Sequence, residues 1–459
     1  MNKTPNPSRR QFLVAGTGLA ATLALPQSAG ADEKTETAGQ RPLPPFIQRS
    51  TDTLLPRGKQ QRVVICGGGW GGVSAAKFVR QLAPELEVVL LERNAHFFSC
   101  PMSNKWLLDV VDTQYLIKDY LAVAATHDYH FIQSEIIAIE RERKRVVTSV
   151  GQLDYDYLIL SPGIRYNYEA WFGNDRRAAA ATRQAFPAAY IPSGEHFRLK
   201  QALHDFKGGD LVMTLPPPPH RCPPSPYERA CMIAALFKAK KLNARVIVLD
   251  HKEDITPITG GFRAAFEQLY PDMITYVPNA HVREVDPFAK RIKTAAGDFN
   301  FDHAILMAPH QAGDLAWKAG VVGQAFIGGP DGWAAVDPLM MHAEADPDVY
   351  VIGDAMGYVS PQFAFYPKAG HLASQQARIV AHYIAERARG RSPEYRLPDN
   401  LCFMMVSPQP MQGVAVKFNY QVNSLGIIEQ ERIDLNERTP KLSVEDFGWA
   451  SNIYGEMFS

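Results

Sequence analysis

Cysteine is scarce in this chain: five residues in 459, at positions 66, 100, 222, 231 and 402. None opens a C-x-x-C-H motif, so the chain carries no haem attachment site of its own. No apolar run reaches the length a bilayer needs, no internal repeat is visible, and no residue cluster argues for a metal. Charge of one sign is missing as well. The 48 Lys and Arg balance 48 Asp and Glu without a basic run, which removes the electrostatic footprint of nucleic-acid binding. What is present is a globular composition, 46% hydrophobic and 21% charged, long enough for two or three domains.

The start of the chain sets an expected compartment. Ser8-Arg9-Arg10-Gln11-Phe12-Leu13 opens an apolar run over 14–25, Pro26 breaks it, and Ala29-Gly30-Ala31 follows as a small-residue cleavage site. The run is too short to span a membrane and reads as a twin-arginine secretion signal over 1–31. It predicts export of a folded, cofactor-loaded protein into an oxidising periplasm, where disulfides persist. Residues 32–58, rich in Pro, Thr and charge, read as a flexible leader.

The first βαβ unit points to a dinucleotide. Arg62-Val63-Val64-Ile65-Cys66 is a buried strand, Gly67-Gly68-Gly69-Trp70-Gly71-Gly72 follows at once, and 73–82 has the apolar face of a helix. A second strand over 87–91 ends on Glu92, followed by Arg93. This is G-x-G-x-x-G with a strand before it and a helix after it. Gly67 permits the tight turn, Gly69 lets the backbone approach a pyrophosphate at the positive helix end, and Gly72 allows helix and strand to pack closely. Glu92 is placed to accept hydrogen bonds from a ribose diol. Asp348-Val349-Tyr350-Val351-Ile352-Gly353-Asp354 is a later strand ending in Gly-Asp, the pattern by which an aspartate reaches the ribityl chain of FAD. Between them, the strand that ends in Ser161-Pro162-Gly163 marks where the chain leaves the FAD domain.

The middle of the chain has strands over 210–215 and 244–249, yet Pro216-Pro217-Pro218-Pro219 stands where a glycine loop belongs. Proline has no backbone N–H, so this turn cannot cradle a pyrophosphate, and nicotinamide binding is not expected. Cys222 follows, then Ser225-Pro226-Tyr227-Glu228 and an apolar helix to 239. Ser225-x-x-Glu228 predicts a capping box. Cys222, just before a helix N-terminus, is expected to have a lowered pKa suited to thiol–disulfide exchange. Cys66 and Cys231 read as core.

Four stretches now resemble one family, the flavoprotein subunit of flavocytochrome c sulfide dehydrogenase: GGGWGGVSAAKFVR, HFFSCPMSN, RCPPSPYERA, and the tail from DNLCFMM to WASNIYGEMFS. The resemblance implies a thioether from Cys100 to FAD and a redox-active disulfide between Cys222 and Cys402. It implies a proton-transfer role for Glu228 and flavin contacts from Trp449. It also places Trp70, Arg93, Asn104 and Lys368 at the cofactor. The chain departs from the family at Met356, at His371 where a tyrosine stands, and at Pro101-Met102; these bear on the substrate pocket.

The fold expected is an α/β two-dinucleotide-binding-domain flavoprotein of the glutathione reductase type with a C-terminal α+β domain. FAD-binding segments 59–170 and 316–395 enclose a second Rossmann-like domain, 171–315, and 396–459 forms the C-terminal part. The implied activity is oxidation of sulfide to sulfur or polysulfide, with electrons leaving to a separate c-type cytochrome subunit. Three alternatives remain at this level. One is a related flavoprotein for another thiol or sulfur compound. Another is a sulfide:quinone reductase, although the acidic tail around Glu445 and Asp446 lacks the basic amphipathic stretch that would favour a bilayer. The third is a non-catalytic flavin-binding assembly factor.

Overall fold

The structure, a computed structural model, describes residues 51–323 and 331–459. The expected secretion signal, 1–31, and most of the expected leader, 32–58, lie outside the described residues. The chain opens on strand β1 (Arg62–Cys66), whose residues are all buried, as expected of a central strand covered on both faces. It turns into helix α1 (Trp70–Leu82), then strand β2 (Glu87–Glu92), a short helix α2 (Ser103–Leu107), strand β3 (His130–Gln133) and strand β4 (Tyr157–Leu160). β1 pairs in parallel with β2, Val63 opposite Val88, and with β4, Val63 opposite Tyr157.

A second parallel unit follows. Strand β5 (Gly209–Leu215), helix α3 (Ser225–Ala239), strand β6 (Ala244–Asp250), strand β7 (Ile274–Val277) and strand β8 (His303–Leu306) form a four-stranded sheet in the order β7-β6-β5-β8. The chain then returns to the first sheet through strand β9 (Asp346–Val351) and helix α4 (Gly370–Ala388). With β9 beside β4, the first sheet has the order β9-β4-β1-β2-β3, extended at one edge by His342–Ala343. Strand order reverses beside β1 in the first sheet and beside β5 in the second. Each reversal opens a crevice at the carboxyl ends of the strands, where α/β sheets hold their ligands.

Strands β10 (Asn400–Pro408), β11 (Met411–Val422) and β12 (Ile428–Thr439) make an antiparallel sheet. Helix α5 (Pro440–Phe458) closes the chain, with Pro440 in its first turn and Thr439 Oγ1 accepting from the Leu442 N–H. Its buried residues, among them Leu442, Asp446, Ala450, Ile453, Tyr454 and Met457, recur at three- and four-residue spacing. The far end is held by Lys77 of α1, whose ammonium donates to the Glu456 and Ser459 carbonyls, a cation at a helix C-terminus.

Candidate active site

The crevice at β1 is shaped for a pyrophosphate. Gly67 has φ +105°, and a Cβ at Gly72 would sit 1.8 Å from the Gly67 carbonyl oxygen, so neither position admits a side chain. Gly69 caps α1 without any side-chain acceptor, and a Cβ there meets nothing within 4 Å. Glu92 Oε2 accepts from the Gly68 N–H at 2.7 Å, which fixes the carboxylate at the end of β2. Gly163 and Gly353 have φ of +66° and +70° at the ends of β4 and β9. The Trp449 indole N–H of α5 is buried with no acceptor among the described residues. Uncapped N–H groups, glycine turns and an unpaired indole N–H together fit FAD. Arg93 is exposed beside this crevice.

The loop bearing Cys100 is pinned against α1 and α4. Trp70 Nε1 donates to Ser99 Oγ at 3.2 Å, and Ser99 Oγ donates to the Pro101 carbonyl. A Cβ on Gly370 would touch both Pro101 and Trp70 at 3.0 Å. The Cys100 thiol donates to the Tyr190 carbonyl at 3.5 Å and lies 3.9 Å from the Arg221 guanidinium. Burial raises its pKa, against the pull of Arg221.

Cys222 sits in the left-handed region, φ +49°, a strained position for a side-chain-bearing residue. Its N–H donates to the Lys368 carbonyl at 2.7 Å, and its carbonyl accepts from the Ser225 N–H. The preceding residue, Arg221, pairs with Asp354 at 2.5 Å, which ties the middle-domain turn to the end of β9. Among the described residues Lys368 makes no ion pair with a carboxylate. Its ammonium donates to the Met356 carbonyl and lies 4.5 Å from the Trp333 ring. Burial, opposed by Asp354, pushes its pKa down to about 7.

Glu228 is the centre of the network. Its carboxylate accepts from Asn104 Nδ2 at 2.7 Å, from the Lys105 ammonium at 2.9 Å and from the Met405 backbone N–H at 2.9 Å. Asn104 Oδ1 accepts in turn from Arg229 Nε. One carboxylate thus joins α3, which follows Cys222, to β10, which carries Cys402. His371 of α4 accepts through Nδ1 from the Leu401 N–H at 3.1 Å, and its ring lies 5.9 Å from Trp449. This histidine therefore anchors the strand one residue before Cys402.

Two expectations about Cys222 and Glu228 are overturned. There is no capping box, because Ser225 is already inside the helix and Pro224 is its cap. Glu228 turns away to the partners named above, and Ser225 Oγ accepts from Asn104. Nor is the Cys222 thiol acidified. Burial raises its pKa, helped by Cys402 and Glu228. Burial likewise pushes Cys402 up to about 12, against a 3.4 Å contact from Asn400. All five cysteines are thiols in the structure, with Cys66 and Cys231 fully buried. The weak field of a helix start does not offset the cost of ionising a buried sulfur.

Asn104, expected at the cofactor, is placed in the Glu228 network. Sequence reasoning missed Lys105, and named Asp446 only among the acids of the tail, yet the two form a 2.8 Å ion pair with 2% and 1% exposure. The signal that could have found Asp446 is its place in the buried stripe of α5.

Comparison with known proteins agrees with this geometry. Residues 197–307 match the family model "Sulfide dehydrogenase [flavocytochrome c] flavoprotein chain, central", and 61–200 match "Pyridine nucleotide-disulphide oxidoreductase". A flavocytochrome c sulfide dehydrogenase flavoprotein chain from Chlorobaculum thiosulfatiphilum is 50% identical over 44 residues, 10% of this chain and 92% of that sequence. The mitochondrial sulfide:quinone oxidoreductase of Mus musculus is 23% identical over 328 residues, 67% of this chain and 68% of that protein. Among solved structures, the sulfide:quinone oxidoreductase of Aquifex aeolicus superposes with a TM-score of 0.68 at 16% identity, covering 86% of this chain and 91% of that one. The fold is thus a mixed α/β one of the pyridine-nucleotide disulfide oxidoreductase type.

Proposed function

This chain belongs to the sulfide-oxidising flavoprotein family of flavocytochrome c sulfide dehydrogenase and sulfide:quinone oxidoreductase type, and we propose that it oxidises sulfide at Cys222 and Cys402 and passes the electrons to a c-type cytochrome. The observation that carries the reading is the single buried carboxylate, Glu228, that ties the Cys222 helix to the Cys402 strand. Nothing in the packing of either element alone requires a thiol there.

In the oxidised enzyme, Cys222 and Cys402 form a disulfide. HS⁻ attacks one sulfur; the Cys–Cys bond breaks, a persulfide forms on the attacked residue, and the other leaves as a thiolate. A second sulfide or thiol takes the outer sulfur away as polysulfide and leaves both cysteines reduced. FAD, when bound, would supply the acceptor for the two electrons released as Cys222 and Cys402 rejoin in their disulfide. Glu228 takes the proton that the sulfur loses. Lys368 sits at the end of the crevice, in no ion pair with a carboxylate among the described residues, and would offset negative charge on the cofactor. Cys100 tethers the flavin. Gly67, Gly69, Gly72, Glu92, Gly353 and Asp354 hold its dinucleotide and ribityl portions, with Trp70, Arg93, Gly163 and Trp449 around it. Export by the twin-arginine route places the enzyme in the periplasm.

Anaerobic mixing of the flavin-loaded protein with sulfide tests the reading: the flavin absorbance should bleach, and a c-type cytochrome should then reoxidise it. Flavin that stays oxidised in sulfide sinks the proposal. A second reading, with quinone as acceptor, is favoured by the alignment to the mouse enzyme over two thirds of the chain; among the described residues no helix is long and apolar enough to cross a membrane. Reoxidation by a soluble quinone but not by cytochrome c decides for it. Acid precipitation checks the tether, since colour should stay with the pellet in the wild type and leave it in Cys100→Ala.

A further inference from the structure

Lys105 and Asp446 have no task in the reaction just described, yet they are buried beside it. One ammonium stands between two carboxylates, 2.9 Å from Glu228 Oε1 and 2.8 Å from Asp446 Oδ2. The three come from α2, α3 and α5 and are 2%, 6% and 1% exposed. Glu228 has two further donors, Asn104 and the Met405 N–H. Apart from the Lys105 ammonium, neither Asp446 oxygen meets a donor among the described residues.

Two buried carboxylates sharing a single cation resist being ionised together, and one proton between them relieves the strain. Asp446, poorer in donors, is the member placed to take it. Burial raises its pKa and the Glu228 charge adds to that, against the pull of Lys105. The other titratable and charged groups facing this trio are Cys222 ahead of α3, Cys231 and Arg229 on α3, Cys402 on β10, Tyr190, and Tyr454 on α5. Arg229 is committed elsewhere: it donates to Asn104 Oδ1 and to the Ala188 and Ala189 carbonyls.

We propose that Glu228, Lys105 and Asp446 act as one proton-holding unit, in which Lys105 and Asp446 are positioning residues that set how readily Glu228 accepts a proton from sulfur. In the step concerned, an S–H bond at the thiol pair or its persulfide breaks and an O–H bond forms on Glu228; no electron changes hands. The inference rests on the sulfide-oxidising reading for its purpose but not for its test.

The test uses the flavin-loaded protein and two readouts taken without sulfide. The first is the infrared carbonyl stretch of a protonated carboxylic acid, expected in the wild type and absent in Asp446→Asn. The second is thiolate absorbance in the reduced protein followed against pH. Asp446→Asn can never become charged, so no negative charge develops there to oppose the thiolate at Cys402. Lys105→Met removes the cation and leaves two acids facing the thiols. The thiolate absorbance of the reduced protein should therefore appear at lower pH, by about one pH unit, a tenfold change, in Asp446→Asn, and at higher pH in Lys105→Met. A merely structural role would move both the same way. If Lys105→Met does not fold, the Asp446→Asn shift and its reversal in Asp446→Glu decide. A carbonyl band that survives in Asp446→Asn, or profiles that coincide or move in one direction, overturn the proposal. If wild-type sulfide bleaching fails, the functional reading falls while the band and the thiolate titration still settle the proton unit.

Discussion

At the carboxyl end of β1 the chain turns through Gly67, Gly69 and Gly72 into α1. At the carboxyl end of β5 it turns through Pro216 to Pro219 and Cys222 into α3. The two units share strand, crevice and helix, and differ in what the turn can offer. The glycine turn leaves free N–H groups at a helix start; the proline turn has none, and delivers a thiol in a strained backbone conformation instead. The acids that end the second strands differ in the same sense. Glu92 remains part-exposed beside its glycines, whereas Asp250 is fully buried and filled by Tyr227 Oη at 2.5 Å, Tyr276 Oη at 3.0 Å and Lys252 Nζ at 2.8 Å. The acid that ends β6 is thus part of the core, whereas the one that ends β2 keeps its place beside an open turn.

The sharpest way to break this comparison is at the thiols. Cys222→Ser and Cys402→Ser should each cut sulfide-driven flavin reduction by on the order of 10³-fold or more, with flavin content unchanged; stopped-flow bleaching measures it. Retained turnover would mean that the proline turn holds no working sulfur. Next comes the glycine turn: Gly72→Ala, with its 1.8 Å clash, should yield colourless protein destabilised by about 4 kcal/mol or more. Gly448→Ala, where a Cβ meets nothing, is the matching control. Asp250→Asn strands Lys252 and two hydroxyls and should cost about 3 kcal/mol in urea unfolding. NADH should leave the flavin oxidised in this variant and in the wild type alike; reduction of the wild type would restore the second site to nucleotide binding.

The smallest effect concerns Lys368. Its folded pKa of about 7 lies below the unfolded value, so between them the unfolded state binds more protons and stability rises with pH. Flavin-free protein should therefore gain stability, by about 1 kcal/mol or more, from pH 7 toward pH 10, and Lys368→Met should flatten that rise. Urea midpoints at pH 7 and 9 check it.

Both turns were legible in the sequence, because glycine and proline act on their own backbone. The strand before each and the helix after each followed from local apolar pattern, and β1, β2, β5, β6 and α3 lie within a few residues of their expected bounds. The ionisation of Cys222 was not legible. Its sign depends on burial by residues far along the chain, including Cys402, and that outweighs the helix start that sequence does reveal. Lys105 and Asp446 were hidden for the same reason. Each is an ordinary charge among polar neighbours until α2, α3 and α5 meet. The local pattern offered Glu228 as a cap, and only the family resemblance gave it a proton-transfer role; its partners are all long-range.

The clamp of Lys77 on α5 makes α1 and α5 mechanically one piece. Tyr454 of α5 lies 5.6 Å from the ring of Trp70 at the start of α1, and Lys77 grips α5 from further along the same helix. The glycine turn and Asp446 are therefore braced by one pair of helices, and a disturbance that loosens either reaches the other.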